Sequence, residues 1–111
     1  MNKDTRARKT NRGRRPKSGK RFYVLRLYVA GLTARSRTAI SNITSICEEH
    51  LQGRYDLEVV DVFQRPVLAR EEQIIATPTL VKRLPAPLRR LIGDLSEREK
   101  VLIGLDLRRL A

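Results

Sequence analysis

The sequence has few of the residues from which redox, metal and covalent catalytic sites are built. Its 111 residues include one cysteine and one histidine, so neither an internal disulfide nor a pair of redox thiols can form. Cys47 lies on the apolar stripe of a predicted helix and is expected to be buried and inert. The sequence also lacks a glycine-rich phosphate loop, a metal-ligand spacing and a nucleophile beside an obvious base. It therefore predicts no catalytic residue, no metal and no cofactor, and the protein is not expected to be an enzyme.

Long apolar runs are absent as well. None reaches the roughly 18 residues that span a bilayer, and the first twenty positions lack the apolar segment of a secretory signal. Together with the single cysteine, this predicts a soluble, cytoplasmic protein with no membrane partner. The length is typical of one domain with a small core.

Acidic residues are scarce at the start of the chain, where basic ones are dense. Residues 1–21 hold ten Lys and Arg against one Asp, a net charge of +9 out of the total of +12. A segment so polar cannot bury enough surface to offset its ordering entropy, which predicts a disordered basic leader before a domain over residues 22–111. The leader could bind nucleic acid by releasing counterions, meet an acidic protein surface, or only raise solubility. It offers no aromatic side chain on which bases could stack before residue 22.

The first half of the domain predicts a strand, a helix and a second strand. Residues 22–30 form a nearly continuous apolar run, which is typical of a strand buried on both faces of a sheet. Apolar residues then recur every three or four positions, predicting a helix from near Thr33 or Ser36 to His50. Residues 57–63 supply the second strand. Such a unit crosses over right-handed, so the two strands are expected to be parallel.

The second half of the domain begins with a short predicted helix over residues 66–73, with Pro66 in the tolerated first turn. On this helix the adjacent Glu71 and Glu72 point about 100° apart, so they are expected to be solvated charges and not a catalytic pair. A Thr-Pro turn at Pro78 then leads into a third strand. This order is thioredoxin-like, an architecture in which a proline at that position is typically cis.

The last segment of the domain, residues 96–107, fits a helix and a strand almost equally well. As a helix it has Ser96 as a candidate N-cap and Glu99 three residues later, which is the spacing of a capping box. The same helix would carry Gly104 in its interior at a cost of about 1 kcal/mol. As a strand the segment places an apolar residue at every second position of its second half. Periodicity alone does not decide between the two.

Three prolines precede this ambiguous segment: Pro78, Pro85 and Pro87. X-Pro bonds adopt both isomers within about 1 kcal/mol of each other and exchange slowly. Three such bonds before a segment that fits both a helix and a strand could support slow exchange between two packings of the chain end. Taken singly, each proline is more typical of a turn or a strand edge.

Three stretches of the sequence read as motifs: YVLRLYVAG at 23–31, ATPTL at 76–80, and RRLIGDLS with REKVLIGLDL within 89–107. They resemble the KaiB circadian-clock proteins, and the resemblance covers about residues 22–107. It implies an α/β KaiB fold with a thioredoxin-like βαβ N-terminal half and a fold-switching C-terminal half. The element order would be βαββααβ in the ground state or βαβαββα in the thioredoxin-like state.

The resemblance also implies partners. The ground state is expected to be a homotetramer or dimer, and the thioredoxin-like monomer to bind the N-terminal ATPase domain of a KaiC-like ATPase. A KaiA-like protein or a histidine kinase, whose sensor domain shares the thioredoxin-like fold, would be a further partner. The resemblance says nothing about the basic leader.

Particular residues acquire roles through the same resemblance. Three basic residues match positions of partner contact: Lys82, Arg89 and Arg90. Five residues match positions that govern the fold switch: Pro78, Pro85, Pro87, Gly104 and Asp106. At Gly104 and Asp106, substitution is expected to bias the chain toward the partner-binding fold. The chain departs from many cyanobacterial members, which have basic residues or a further proline at four positions: Thr38, Glu58, Gln73 and Ala86.

Three functions follow as hypotheses. The first is a non-enzymatic clock or timing regulator that binds a KaiC-like ATPase after switching fold, and thereby modulates its phosphorylation state and output signalling. The second is a nucleic-acid-binding protein that acts through the basic leader. The third is a thioredoxin-like adaptor in stress signalling that keeps a single fold.

Overall fold

A computed structural model describes residues 8–10 and 21–108 as a five-stranded sheet with helices on both faces. In chain order the elements are β1 (Arg8–Thr10), β2 (Tyr23–Val29), α1 (Ala34–His50), β3 (Tyr55–Asp61), α2 (Pro66–Glu71), β4 (Thr79–Leu84), β5 (Arg89–Ile92) and α3 (Arg98–Gly104). The strand order across the sheet is β1-β3-β2-β4-β5. From β2 onward the element order is βαβαββα, so the structure has the thioredoxin-like arrangement of the two that the resemblance implied.

The strand–helix–strand unit predicted for the first half of the domain is confirmed. β2 and β3 run parallel, with Leu25 beside Leu57. The predicted helix start is also confirmed, because the Thr33 hydroxyl accepts a hydrogen bond from the Ser36 backbone N–H at 3.1 Å and so caps α1. β4 pairs antiparallel with β2, and β5 pairs antiparallel with β4. β2 and β4 therefore lie in the interior of the sheet.

The main core lies on one face of the sheet, between the strands and the helices α1 and α3. Leu25 of β2, Ile43 of α1 and Leu102 of α3 pack there and are almost inaccessible to solvent. Cys47 belongs to the same cluster, as predicted, and burial raises the pKa of its thiol to about 12. The thiol is therefore protonated at neutral pH.

The opposite face of the sheet is covered less completely. Tyr28, Val60 and Val81 form a small buried cluster there, against which Leu68 of α2 packs. α2 has six residues and is therefore only about 9 Å long, too short to cover the whole face. Charged side chains lie on other parts of this face, and they form part of the site described below.

The ambiguous chain end is a helix over Arg98–Gly104 in this structure. The capping box predicted for its start is wrong, because α3 begins two residues after Ser96 and no side chain caps it. The Ser96 backbone N–H instead donates to Asp94 Oδ1 at 3.1 Å, in a tight turn before the helix. The apolar group expected of a helix, Val101, Leu102 and Leu105, reaches the main core, whereas Ile103 of the alternating pattern is only partly buried.

Most of the predicted leader lies outside the described residues, so its disorder and the domain boundary after residue 21 stay predictions. Of the described leader residues, Arg8–Thr10 are an edge strand that pairs antiparallel with β3. The peptide bonds before Pro78, Pro85 and Pro87 are cis, as expected for Pro78. Within the described ranges, no helix is both long and apolar enough to cross a membrane.

Candidate partner-binding and fold-switch sites

The end of α3 is attached to the sheet through a buried ammonium group. Lys82 of β4 points to the α3 side of the sheet, and its side chain is 0% exposed. Its Nζ donates to Asp106 Oδ2 at 2.9 Å and to the Pro85 carbonyl at 2.8 Å. A buried ammonium without such partners would be costly, so this geometry requires Asp106 to stay in place.

Asp106 contributes its backbone conformation as well as its charge. It follows the C-cap of α3 with a φ of +61°, in the left-handed region that aspartate tolerates better than most residues. Its backbone N–H donates to the Ile103 carbonyl at 3.0 Å, and the Leu107 N–H donates to the Leu102 carbonyl at 2.8 Å. These two bonds are the Schellman motif, which ends the helix and satisfies two of its free carbonyls.

The electrostatic environment of Asp106 favours its ionised form. The hydrogen bond from Lys82 is the main cause that lowers the pKa of the Asp106 carboxyl below its ordinary value, and the nearby charge of Arg89 adds to it. Arg89 Nη2 lies 3.7 Å from Asp106 Oδ1, in the position of a looser ion pair. The carboxylate therefore joins β4, β5 and the end of α3.

Tyr23 of β2 also holds the carboxyl end of α3 to the sheet. It lies at the start of β2, and its hydroxyl donates to the Leu105 carbonyl at 2.8 Å in a buried position. Burial is also the main cause that raises the pKa of the Tyr23 hydroxyl, which stays protonated and remains a donor. We call Tyr23, Lys82 and Asp106 the C-terminal latch, because together they hold the carboxyl end of α3 to β2 and β4.

Gly104 is the last residue of α3 and lies against β5. A Cβ added there would approach Leu91 Cδ2 to 2.5 Å and Leu91 Cδ1 to 3.0 Å. Those atoms are the flexible end of a partly buried side chain, so alanine at this position requires Leu91 to move. The glycine therefore permits close approach of α3 and β5, in addition to lowering the helix propensity of the segment.

On the opposite sheet face, Glu72 is the centre of a second charged group. It was predicted to be solvated, and this is wrong, because only 9% of its surface is exposed. Glu72 Oε1 pairs with Arg83 of β4, and Arg90 Nη2 of β5 donates to the Glu72 carbonyl at 3.0 Å and lies 3.3 Å from its Oε2. Glu72 thus connects the end of α2 to both C-terminal strands.

The three basic residues predicted to contact a partner have different environments. Lys82 cannot present its charge to a partner in this conformation, so its predicted role as a direct contact needs correction to that of an internal ion-pair residue. Arg90 is 42% exposed but is engaged by Glu72. Arg89 is 50% exposed and has the loosest pairing of the three. Of the predicted contacts, Arg89 is therefore the most available.

Glu58 departs from the family pattern in sign, and the structure shows how its charge is balanced. It lies on β3 with Arg26 Nε 3.5 Å from its Oε1 and Arg65 Nη1 3.4 Å from its Oε2. Its side chain is largely buried between these arginines. The acidic residue therefore forms internal ion pairs on the sheet face and does not stand alone as a surface charge.

Tyr23 and Glu72 were missed as functional residues by sequence reasoning. Tyr23 belongs to the apolar run of β2, where nothing in the sequence distinguishes its hydroxyl from that of Tyr28. Glu72 partners Arg83 and Arg90, which lie 11 and 18 positions away along the chain. No local spacing rule relates such pairs, so no signal in the sequence marks either residue.

The fold matches solved thioredoxin-like structures. The N-terminal domain of SasA from Synechococcus elongatus superposes with a TM-score of 0.65 and 22% identity, over 86% of this chain and 94% of that domain. Mitochondrial thioredoxin 3 from Saccharomyces cerevisiae superposes with a TM-score of 0.63 and 17% identity, over 78% of this chain and 79% of that one. Residues 31–36, between β2 and the first turn of α1, contain no cysteine, although thioredoxins carry their thiol pair there. The fold and site define a thioredoxin-like domain without the redox pair.

Within that class, the chain belongs to the KaiB family, whose KaiB domain matches residues 26–107. The circadian clock oscillator protein KaiB of Microcystis aeruginosa is 59% identical over 88 residues, which are 79% of this chain and 85% of that protein. The protein of the same name from Synechococcus elongatus is 57% identical over 90 residues, or 81% of this chain and 88% of that protein. The resemblance drawn from the three sequence motifs is confirmed.

Proposed function

We propose that this protein is a non-enzymatic clock or timing regulator that binds the N-terminal ATPase domain of a KaiC-like ATPase in the thioredoxin-like conformation. Binding would modulate the phosphorylation state of the ATPase and its output signalling. Family membership supports the clock role, since the relatives are circadian clock oscillator proteins. The observation that carries the mechanism is the chain end, where a sequence compatible with two structures is held as a helix by a small polar latch.

The proposed switch begins when the C-terminal latch opens. In the ground state of order βαββααβ, the chain end is a strand, and a strand cannot keep the Schellman motif that positions Asp106. The bonds from Lys82 and Tyr23 to this region would be lost together. Because both bonds depend on one docked helix end, the switch would be cooperative and not gradual.

Conformational selection gives the energetic consequence. If the thioredoxin-like state were about 1% populated before binding, the apparent affinity for the ATPase would fall about a hundredfold. A slow exchange between the two folds would also limit the rate of binding. The rate at which the complex forms would therefore measure the population and the kinetics of the switch.

The proposed contact surface includes the exposed sides of Arg89 and Arg90 on β5. Arginine pairs well with carboxylates, so an acidic patch on the ATPase would fit them. A KaiA-like protein or a histidine kinase sensor domain would engage or compete at later steps, as the family resemblance implies. The likeness of this fold to the SasA N-terminal domain supports competition between two domains of one shape.

The test is the rate of complex formation with the cognate ATPase, compared between wild type and Gly104→Ala. Alanine should favour the helix by about 1 kcal/mol, which corresponds to roughly fivefold more of the binding-competent state. Since Leu91 must move to admit the methyl group, Leu91→Ala alone and the double variant are the matched controls. Faster binding by the double variant than by Leu91→Ala supports the switch, whereas equal rates would count against it.

The charge of +9 on residues 1–21 keeps nucleic-acid binding as a second candidate function. Removing residues 1–20 separates the two functions, because DNA or RNA affinity would collapse while ATPase binding would persist. The third candidate, a stress-signalling adaptor with a single fold, differs from the proposed function in its NMR spectrum. It would show no exchange with a second set of amide resonances, whereas the switch would show such exchange by saturation transfer even from a minor state.

A further inference from the structure

An open cleft lies between the turn that joins β4 to β5 and the carboxyl end of α3. Its volume is about 830 Å³, which is in the range of sites that hold small molecules. The apolar part of its wall includes Ala86 and Pro87 of the turn and Ile103 of α3. Three basic residues line it as well: Arg21, Arg89 and Arg108.

The charges around this cleft do not balance. Asp106 is the one carboxylate in its described lining, and Asp106 Oδ2 is already paired with the Lys82 ammonium at 2.9 Å. Arg108 Nη1 lies 3.3 Å from Glu99 Oε2, so this arginine is partly neutralised. Two carboxylates therefore face four cations, namely Lys82 and the three arginines, which leaves an excess of two positive charges.

Arg89 and Arg21 carry this excess. Arg89 is half exposed, and the 3.7 Å between its Nη2 and Asp106 Oδ1 is too long for a hydrogen bond. Arg21 is exposed, and its guanidinium has no ion pair with another residue that the structure describes. The hydrogen bond from Lys82 is the main cause that lowers the pKa of Asp106, and the charges of Arg89 and Arg21 add to it. Both guanidinium groups are therefore close to the same point in the cleft and free to bind a further anion.

Phosphate is the anion that best fits such an arrangement. A guanidinium group donates two parallel hydrogen bonds to phosphate oxygens, and one phosphate has enough oxygens to accept from two arginines. An anion with two or more charges would also offset the whole excess, whereas a monovalent anion such as chloride would gain much less Coulomb energy. The apolar wall leaves room beside the charged groups for the uncharged part of a phosphate ester.

We propose that this cleft is a binding site for a small anion that carries two or more negative charges on phosphate groups, held chiefly by Arg21 and Arg89. These residues lie before β2 and on β5, and the opposite wall is the end of α3. The cleft therefore exists only while α3 is docked, so the anion would stabilise the C-terminal latch by mass action. The site does not depend on the proposed binding to an ATPase.

The test is a titration of the full-length chain with inorganic pyrophosphate, followed by amide NMR shifts and compared with sodium chloride at equal ionic strength. The shifts of Gly104 and Asp106 should saturate with pyrophosphate and not with chloride. Arg21→Gln and Arg89→Gln should each weaken this binding about tenfold, as expected for the loss of a hydrogen bond to a charged group. Arg37→Gln is the matched control, because Arg37 is exposed near the start of α1, beyond the opposite end of β2.

Amide hydrogen exchange at the end of α3 gives a second measurement. The Leu105 N–H donates to the Val101 carbonyl and is protected only while this end of the helix is formed. Pyrophosphate at ten times its Kd should slow exchange of the Leu105 amide about tenfold. The slowing should be lost at the same concentration in Arg21→Gln and kept in Arg37→Gln.

Three results would overturn the proposal: pyrophosphate shifts confined to residues 1–20, equal binding by all the variants, or the same response to chloride as to pyrophosphate. Arg89 also belongs to the contact surface proposed for the ATPase, but Arg21 does not. Unchanged pyrophosphate binding in Arg21→Gln would therefore count against this site alone and leave the proposed function untouched.

Discussion

The half of the domain from β2 to β3 and the half from β4 to α3 differ in length and in what stabilises them. The first half has two strands of seven residues and a helix of 17, and it supplies most of the main apolar core, to which the second half adds Leu80, Leu95, Val101, Leu102 and Leu105. The second half has strands of six and four residues and a seven-residue helix, and the shorter strand and the helix are marginal without tertiary support. Polar contacts at the latch and at Glu72 supply part of that support.

For the switch that we propose, this difference gives a physical reason why the first half would keep its structure while the second half rearranges. Apolar contacts in the first half depend on burying large surfaces, which no small perturbation removes. Hydrogen bonds and ion pairs in the second half depend on a few atoms and on their geometry. The four predictions below compare the two halves, from the largest expected effect to the smallest.

Truncating the core of the first half should have the largest effect. Ile43 of α1 is fully buried in the main core, so Ile43→Ala should lower the free energy of unfolding by roughly 2–5 kcal/mol. Urea denaturation followed by circular dichroism measures this. Ile75→Ala is the matched control, since Ile75 is 90% exposed and its truncation should have little effect. Similar losses for both variants would contradict the described core.

Removing the charge of Asp106 should destabilise the second half selectively. Asp106→Asn keeps the shape and tolerates the positive φ, but leaves the buried Lys82 ammonium without its anion. The expected cost to the thioredoxin-like state is about 1.5–3 kcal/mol, the range for a hydrogen bond to a charged group. Amide exchange in α3 should accelerate while exchange in α1 does not.

The control for that comparison is Glu97→Gln, which removes an exposed carboxylate near the other end of α3. The resemblance implied that substitution at Asp106 favours the partner-binding fold. The latch predicts the opposite for a neutral isostere. If Asp106→Asn bound the ATPase faster than wild type, the ion pair would not be what holds the helix end.

Tyr23→Phe should have a smaller effect of the same kind. It removes the hydroxyl that donates to the Leu105 carbonyl and keeps the aromatic ring in the core. We expect a loss of about 1 kcal/mol from the docked state of α3. Tyr28→Phe is the control, since Tyr28 lies in the cluster on the other sheet face. Equal acceleration of α3 exchange in both variants would argue against the latch.

The smallest expected effect is a loss of stability of the docked end of α3 at acidic pH. Because the pKa of Asp106 is lowered in the folded state, its contribution to stability is present above the ordinary Asp value of 3.8 and is lost as pH falls through the folded value. The docked helix end should therefore loosen only below about pH 4. Asp94 titrates in the same direction, so the measurement is the difference between wild type and Asp106→Asn in α3 exchange against pH. Identical profiles would contradict this contribution.

Sequence reasoning succeeded where structure depends on neighbours along the chain. The helix start near Thr33, the first-turn Pro66 and the periodic apolar face of α1 all involve residues within a few positions of one another. It failed for Glu72, whose burial depends on two arginines from strands that follow it. The family resemblance assigned Lys82 to partner contact, whereas its side chain is buried on the α3 side of the sheet. Sequence alone does not show which side of β4 faces α3.

The sequence by itself determined the βαβ half, the family and the pattern of residues 96–107 that fits both a helix and a strand, because these follow from local periodicity and from recognisable motifs. Only the tertiary structure decided that the segment is a helix here, and which atoms hold it. The reason is the distance along the chain between partners: Tyr23 and Leu105 are 82 positions apart, and Lys82 and Asp106 are 24 apart. Contacts over such sequence separations form only once the sheet has brought the strands together. Local sequence patterns therefore cannot predict their contribution to stability.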